Sequence, residues 1–182
     1  MLLITRKAGT MSNNRYLVTL DSSLQSYYEL EKPVTFTGDF EVECDVQDED
    51  KGTSGSFSTI LGDSEGTAHY LVVTGAGALR ANIDSVVVIS SNGVISDSDF
   101  HHIVLKRTNG TVTILLDGVI VATKENTTQA FRIDKIGARP SDAYFNGIIA
   151  NVTLTDNSGS TPVIESYKLN KGTAESEYEY GG

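Results

Sequence analysis

Short runs of β-branched and apolar residues recur along the chain, and glycine, asparagine, aspartate and serine separate them. Such runs lie at residues 16–20, 27–30, 39–47, 57–61, 70–73, 78–83, 86–90, 131–136, 145–154 and 162–168, with three more between 100 and 123. This spacing of short strands and turn residues is typical of an all-β sandwich or barrel. No window of ten or more residues carries a 3.6-residue apolar period, so we expect little helix.

The stretch at 100–123 predicts a β-meander. Two dipeptides interrupt it, Asn109-Gly110 and Asp117-Gly118. Both pairs tolerate positive φ at the two central positions of a tight turn, which is the backbone conformation that two-residue hairpin loops require. Three consecutive antiparallel strands follow from these two turns.

The run at 39–47 alternates between apolar and polar positions. The apolar positions are Phe40, Val42, Cys44 and Val46, and the polar ones are Glu41, Glu43, Asp45 and Gln47. Successive side chains of a strand point to opposite faces, so this strand predicts a sheet with one buried and one solvated face. With about a dozen strands, we expect a two-sheet antiparallel β-sandwich of jelly-roll topology.

At 182 residues the chain has the size of one domain, and we divide it into an N-terminal arm (1–14), a jelly-roll domain (15–170) and an acidic C-terminal tail (171–182). The net charge of −10 disfavours nucleic-acid binding, which needs clustered basic residues. No apolar run approaches the about 18 residues of a membrane span, so we expect no membrane insertion. Cys44 is the only cysteine, and its place in the alternation predicts a buried thiol.

Several segments resemble one family. They are the opening 100–104 (FHHIV), the Asp117-Gly118 turn, the late strand 145–152 (FNGIIANV) and the early segment 27–46. Together they resemble laminin-G-like domains of the concanavalin-A-like lectin and glucanase superfamily, over about residues 15–168. Phe100 stands where tryptophan is usual in that family. The resemblance implies a jelly roll of the concanavalin-A-like type.

A compact jelly roll of this kind looks most like versions found in bacteriophage virion proteins. The resemblance therefore implies a non-enzymatic virion component, either a capsid decoration or a tail appendage such as a tail fibre, that also adheres to host-surface glycans. We expect it to be made in the host cytoplasm, to join an oligomeric assembly and to contact other virion proteins through the arm and the tail. The alternative is a soluble carbohydrate-binding lectin module, and a family-16-like glycoside hydrolase ranks third.

The segment Glu43-x-Asp45-x-x-Asp48 is similar to the strand motif Glu-x-Asp-x-x-Glu that glucanases of this superfamily use in catalysis. Paired carboxylates about 5 Å apart can serve as nucleophile and acid in retaining glycosidases. Here the motif ends in aspartate, and the chain has no tryptophan to line a sugar cleft. We expect these acids to form a solvated sheet face and the protein not to be an enzyme.

The adjacent His101 and His102 are expected on opposite strand faces, one packed and one facing water, so that they do not converge on a metal. Sugar sites pair an aromatic ring with directed polar groups, and the candidate ligand-binding residues are Tyr70, Tyr144, Asp142 and Asn146. Calcium prefers carboxylate oxygens, and the candidate metal-binding residues are Asp63, Asp97 and Asp99.

Overall fold

The computed structural model describes residues 19–20, 22–23, 25, 27–50, 57–140 and 143–167. These residues contain thirteen strands and no helix, which confirms the predicted all-β class. The strands are β1 Thr19–Leu20, β2 Tyr28–Phe36, β3 Phe40–Asp48, β4 Phe57–Gly62, β5 His69–Thr74, β6 Leu79–Ile83, β7 Val86–Ile89, β8 His101–Thr108, β9 Thr111–Leu116, β10 Val119–Lys124, β11 Phe131–Ile136, β12 Gly147–Asp156 and β13 Val163–Tyr167. The predicted arm (1–14), the tail (171–182) and most of the first predicted strand lie outside the described residues.

The strands form two antiparallel sheets, which confirms the predicted sandwich. The seven-stranded sheet has the order β1-β12-β3-β8-β9-β10, with β13 also pairing with β12. The six-stranded sheet has the order β2-β11-β4-β5-β6-β7. Strands that are neighbours in the sequence, such as β2 and β3, lie in different sheets, so the chain crosses repeatedly between the two layers, as it does in jelly rolls.

The core lies between the two sheets, and β3 shows how the sequence builds it. This strand pairs with β12 on one side and β8 on the other, and its burial alternates without a break. The inward-facing Val42, Cys44 and Val46 are at most 1% exposed. Burial raises the pKa of the Cys44 thiol far above its usual range, so the sulfur is an inert part of the core.

Three stacked phenylalanines fill one end of the core. The rings of Phe36 and Phe40 are 5.0 Å apart, and those of Phe40 and Phe131 are 5.5 Å apart. The guanidinium carbon of Arg107 lies 5.1 Å from the centre of the Phe40 ring. Although Arg107 is buried, it donates hydrogen bonds to the carbonyl oxygens of Gly38 and Gln129. These bonds satisfy the buried charge and close the sandwich at this end.

The β-meander forms at the predicted place. Asn109 and Gly110 have φ of 49° and 76°, and Asp117 and Gly118 have φ of 51° and 80°. Both hairpin loops therefore use positive φ at both central positions, the combination that suits the right-handed twist of the flanking strands. The three strands β8, β9 and β10 follow each other in the seven-stranded sheet.

Strand β2 is longer than the sequence predicts, because it continues through Pro33. Proline lacks the backbone N–H and usually interrupts a ladder. Here β2 is an edge strand, and its pairing with β11 shifts register between Val34 and Glu29, so Pro33 lies in the gap. An edge position with an irregular ladder is where a strand tolerates proline.

Replacement of Phe131 tests the packing at the aromatic end of the core. Phe131 is fully buried, so Phe131→Ala removes ring contacts and leaves a cavity. We expect a loss of about 3–5 kcal/mol in the free energy of unfolding, measured by urea denaturation, and a smaller loss for Phe131→Leu. Val119→Ala at a 65% exposed position is the control. An equal effect of Phe131→Ala and the control would contradict this account of the core.

Candidate functional site

The outer face of the seven-stranded sheet carries a row of acidic side chains from β3. Alternate residues of β3 are buried between the sheets, so the residues between them, Glu41, Glu43 and Asp45, point outward. In the strand register Asp45 lies opposite His102 of β8 on one side and Ala150 of β12 on the other. Three strands thus bring an acid, a histidine and the start of a bulge in β12 to one place.

Both carboxylate oxygens of Asp45 are held by neighbours. The Nδ1 atom of His102 lies 2.8 Å from Asp45 Oδ1, and the Nδ2 group of Asn151 donates to Asp45 Oδ2 at 2.6 Å. The other ring nitrogen of His102 lies 3.7 Å from Glu43 Oε2. The outward-facing side chains therefore form a connected network with fixed orientations.

Asn151 reaches Asp45 because β12 is irregular at this point. The pairing of β12 with β3 shifts between Ala150 and Thr153, and Asn151 has a φ of 51°. Asparagine is one of the few residues other than glycine that adopts this left-handed conformation readily. Bulges of this kind redirect a side chain, and this one directs the Asn151 amide at the carboxylate.

Asp117 anchors the other side of the site. Its Oδ1 atom accepts the backbone N–H of His102 at 2.8 Å, and its Oδ2 atom lies 2.8 Å from Nδ1 of His101. The second ring nitrogen of His101 lies 2.9 Å from Asp97 Oδ1. Since both ring nitrogens face carboxylates, the ring donates to both only when it carries both protons.

This arrangement shifts the pKa values of three groups. Burial would lower the pKa of His101, but the hydrogen bonds and charges of Asp117 and Asp97 outweigh it and raise that pKa. Burial would raise the pKa of Asp117, but the bonds from His101 and the His102 N–H prevail and lower it. Burial, together with a hydrogen bond and repulsion from Glu41, raises the pKa of Glu43.

An open depression of about 360 Å³ lies beside this network, and we call it the Phe100 depression. It is lined by Asp45, Phe100, His101, His102, Asp117, Ala150 and Asn151. Phe100 is 44% exposed, so part of its ring is open to solvent beside the ordered polar groups. An apolar ring next to directed carboxylate, amide and imidazole groups suits a ligand that has both C–H faces and hydroxyls.

The acids of the glucanase-like motif do not share one face. Glu43 and Asp45 point outward, whereas Asp48 points inward and is 1% exposed. The Oδ1 atom of Asp48 accepts the hydroxyl of Ser58 at 3.1 Å. The third acid of the motif is therefore on the opposite side of the strand from the other two.

The residues predicted to bind a ligand lie in different surroundings. Tyr70 is 4% exposed and packs against Phe57, with ring centres 6.5 Å apart, so its ring is covered and is not an open platform. Tyr144 is half-buried beside Tyr27. The side chain of Asn146 donates to Asp50 at 3.0 Å, and Asp142 lies outside the described residues.

Two of the three residues predicted to bind calcium, Asp63 and Asp97, have carboxylates that already bind protein groups. Asp63 is 3% exposed and forms an ion pair with Arg132. Asp97 contacts His101, and the backbone N–H of Asp99 donates to Asp97 Oδ1 at 3.0 Å. Within the described ranges, no three His, Cys, Asp or Glu side chains are grouped so as to hold a metal ion. Calcium binding stays a prediction.

The sequence pointed to the histidines and the Asp-Gly turn of the Phe100 depression, but it did not show that these residues line one depression. The histidine side chains are 12% and 45% exposed, His101 and His102 respectively, as expected for one packed and one solvated residue. Both nevertheless line one depression, because the Asp117 turn folds back over the start of β8. The aromatic–His–His opening followed by an Asp-Gly turn was the available signal. No sequence signal marked Asn151, because the bulge that directs its side chain depends on the pairing of β12 with β3.

A family model described as Concanavalin A-like lectin/glucanases superfamily, of the laminin G type, matches residues 13–163. The chain belongs to this family, which confirms the expectation from the sequence. No curated protein sequence matches the chain. In the part of the chain that the structure describes, no helix is long and apolar enough to cross a membrane.

Solved structures share the fold at low identity. Domain 4 of the extracellular arabinanase AbnA from Geobacillus stearothermophilus, solved with arabinotriose, is 19% identical with a TM-score of 0.56, covering 84% of this chain and 74% of that one. A Bacteroides ovatus protein described provisionally as carbohydrate binding is 16% identical with a TM-score of 0.60, covering 96% and 54%. Tailspike protein 2 of bacteriophage CBA120 is 10% identical with a TM-score of 0.50, covering 87% and 28%.

His101 makes stability depend on pH in a defined direction. Its raised pKa means that the stabilisation by the protonated ring is complete below the pKa of an unfolded histidine, about 6.5, and is lost as pH rises through the folded value. We expect the melting-temperature difference between wild type and His101→Gln to be largest near about pH 5.5 and to shrink toward about pH 8.5.

His69→Gln is the matched control, because burial lowers the pKa of His69 despite the opposing charge of Asp84. The difference between wild type and this variant should shrink in the other direction, as pH falls. Parallel pH profiles for the two variants would contradict a raised pKa of His101.

Proposed function

We propose that the protein binds carbohydrate in the Phe100 depression and does not cleave it. The observation that carries this proposal is the exposed Phe100 ring beside polar groups that are already fixed by hydrogen bonds. Sugars present apolar C–H faces, which stack on aromatic rings, and hydroxyl groups, which need directed partners. The depression offers both within one small volume.

The preorganised polar groups favour binding of a small, rigid ligand. Asp45 is held by His102 and Asn151, so its carboxylate does not lose conformational freedom when a hydroxyl donates to it. Preorganisation of this kind lowers the entropic cost of association. The membership of a lectin and glucanase superfamily and the likeness to domain 4 of the arabinanase support this choice of ligand class.

Binding without cleavage is proposed from the distribution of acids. Hydrolysis with retention needs two carboxyl groups about 5 Å apart on either side of a glycosidic bond. Glu43 and Asp45 share the outer face, but both contact His102, and Asp48 points into the core. Release of reducing ends from a panel of polysaccharides by the purified protein would contradict this part of the proposal.

For the biological setting we propose a virion component, as a capsid decoration or a tail appendage, with a lectin module outside a virion as the alternative. The likeness to a bacteriophage tailspike supports the virion setting at the level of fold. Peptide mass spectrometry of phage particles purified from a producing culture tests it. Stoichiometric recovery of the chain in particles is expected, and its absence from them would favour the lectin alternative.

The role of Phe100 is tested with Phe100→Ala. A glycan array identifies a ligand, and calorimetry then measures its affinity for each variant. Loss of the stacking surface should weaken binding about tenfold or more, equivalent to about 1.4 kcal/mol. The melting temperature should change little, because Phe100 is 44% exposed.

Ile164→Ala, at a 48% exposed position of β13, is the control for a loss of exposed apolar surface. It should bind the same glycan with wild-type affinity. Equal affinities of Phe100→Ala and wild type would exclude the Phe100 depression as the sugar site, and an array without any bound glycan would contradict the proposed function itself.

A further inference from the structure

Two arginines of the described residues, Arg80 and Arg139, lie over the outer face of the six-stranded sheet, and the Nε atom of each has no hydrogen-bonding partner there. Among the four arginines of the described residues, Arg107 binds two carbonyl oxygens and Arg132 binds three acidic side chains. Within the described residues, Arg80 and Arg139 form no ion pair, and the Nε atom of each has no hydrogen-bond partner, although the chain carries 24 acidic residues. Within the part of the chain that the structure describes, both guanidinium groups contact aromatic rings.

Both guanidinium groups lie on the same pair of rings. The central carbon of Arg80 is 5.7 Å from the ring centres of both Phe57 and Tyr70. That of Arg139 is 4.8 Å from Phe57 and 5.0 Å from Tyr70. Each group sits about equally far from the two rings, so two like charges are gathered over one aromatic pair. We call these four residues the arginine cluster.

The fold delivers the two arginines from separate elements. Arg80 of β6 lies opposite Val72 of β5, and its neighbours Leu79 and Ala81 point into the core, so Arg80 is on the outer face. Arg139 follows β11 and crosses the end of β4 at Gly62. A Cβ atom at Gly62 would lie 2.2 Å from the carbonyl oxygen of Ala138 and 2.9 Å from the Cβ of Arg139. The missing side chain at Gly62 therefore admits the crossing.

Several buried polar atoms of the arginine cluster and of its face of the sheet have no hydrogen-bond partner among the described residues. The Nε atoms of Arg80 and Arg139 are both buried without a hydrogen bond. On the same face Thr59, which is opposite Val72 and fully buried, has a hydroxyl without a partner. A buried donor that is left unsatisfied destabilises the fold, and a charged donor does so more strongly.

We propose that the arginine cluster is a second binding site, which takes the carboxylate of an acidic glycan such as a polyuronate. A guanidinium that stacks on a ring with its face keeps its N–H edge available, and that edge matches a carboxylate with two parallel hydrogen bonds. This inference rests on the proposed function in one respect, since it takes the anion to be part of a carbohydrate.

The cluster and the Phe100 depression lie on opposite sides of the molecule. The depression is on the outer face of the seven-stranded sheet, and the cluster is on the outer face of the six-stranded sheet. The two sites therefore cannot contact the same sugar unit. The depression is lined by Asp45 and Asp117 and disfavours anions, so an acidic glycan is directed to the arginines.

The test is calorimetry with an oligogalacturonate hexamer and with the same hexamer fully methyl-esterified, which removes the charge and keeps the sugar. The wild-type protein should bind the acid form at least about tenfold more tightly than the ester, and added salt should weaken that binding. A sulfated oligosaccharide is a third ligand. Tighter binding of the sulfated form than of the carboxylate form would overturn the choice of a carboxylate.

The variant Arg80→Gln/Arg139→Gln should lose the preference for the acid over the ester. Lys106→Gln/Lys124→Gln removes the same charge elsewhere and should keep it. Phe100→Ala should also keep it, because the cluster does not use Phe100. If the wild-type protein binds the acid and the ester equally well, the inference is overturned without any variant. That result does not affect the Phe100 site, which is tested separately with neutral glycans.

Discussion

The burial of one face of β3 determines how the two sheets pack and where the polar groups of the outer face lie. This strand lies in the middle of the seven-stranded sheet, and its residues Val42, Cys44 and Val46 are packed against the other sheet with at most 1% exposure. A shift of one residue in its pairing would place Glu43 and Asp45 in the core. The cost of burying those carboxylates fixes the register of β12 and β8 on either side.

That register also creates the Phe100 depression. Once Asp45 faces outward, its neighbours in the ladder are His102 and the bulge at Asn151, and each binds one oxygen of its carboxylate. Asp117 has two roles at once. It adopts the positive φ of the hairpin loop, and its carboxylate binds His101 and the backbone of His102. Turn geometry and site geometry are thus set by one residue.

The sequence predicts what depends on local pattern. The alternation in β3 and the Asn-Gly and Asp-Gly turns depend on neighbouring residues, so the strands, the meander and the two-sheet sandwich could be derived before the structure. Strand β2 was predicted too short, because tolerance of Pro33 depends on an edge position that the local pattern does not reveal.

The sites depend on contacts between distant segments. Asp45 and Asn151 are 106 positions apart, and Arg80 reaches the same rings from β6 as Arg139 reaches from the segment after β11. Tyr70 looked suitable as an exposed platform, but the same arginines lie on its ring, which is 4% exposed. Which aromatic ring is open and which is covered follows from the packing of the sheets, and among the described residues Phe100 is an exposed ring.

We propose that a neutral sugar binds beside Phe100. NMR spectra of the ¹⁵N-labelled protein, recorded while a neutral oligosaccharide identified on the glycan array is added, test this proposal. The account predicts that the largest shift changes occur at the backbone amide of His102 and at the Asn151 side-chain amide, because both groups bind the carboxylates that line the depression. Changes confined to the six-stranded sheet, with these two signals unmoved, would contradict it.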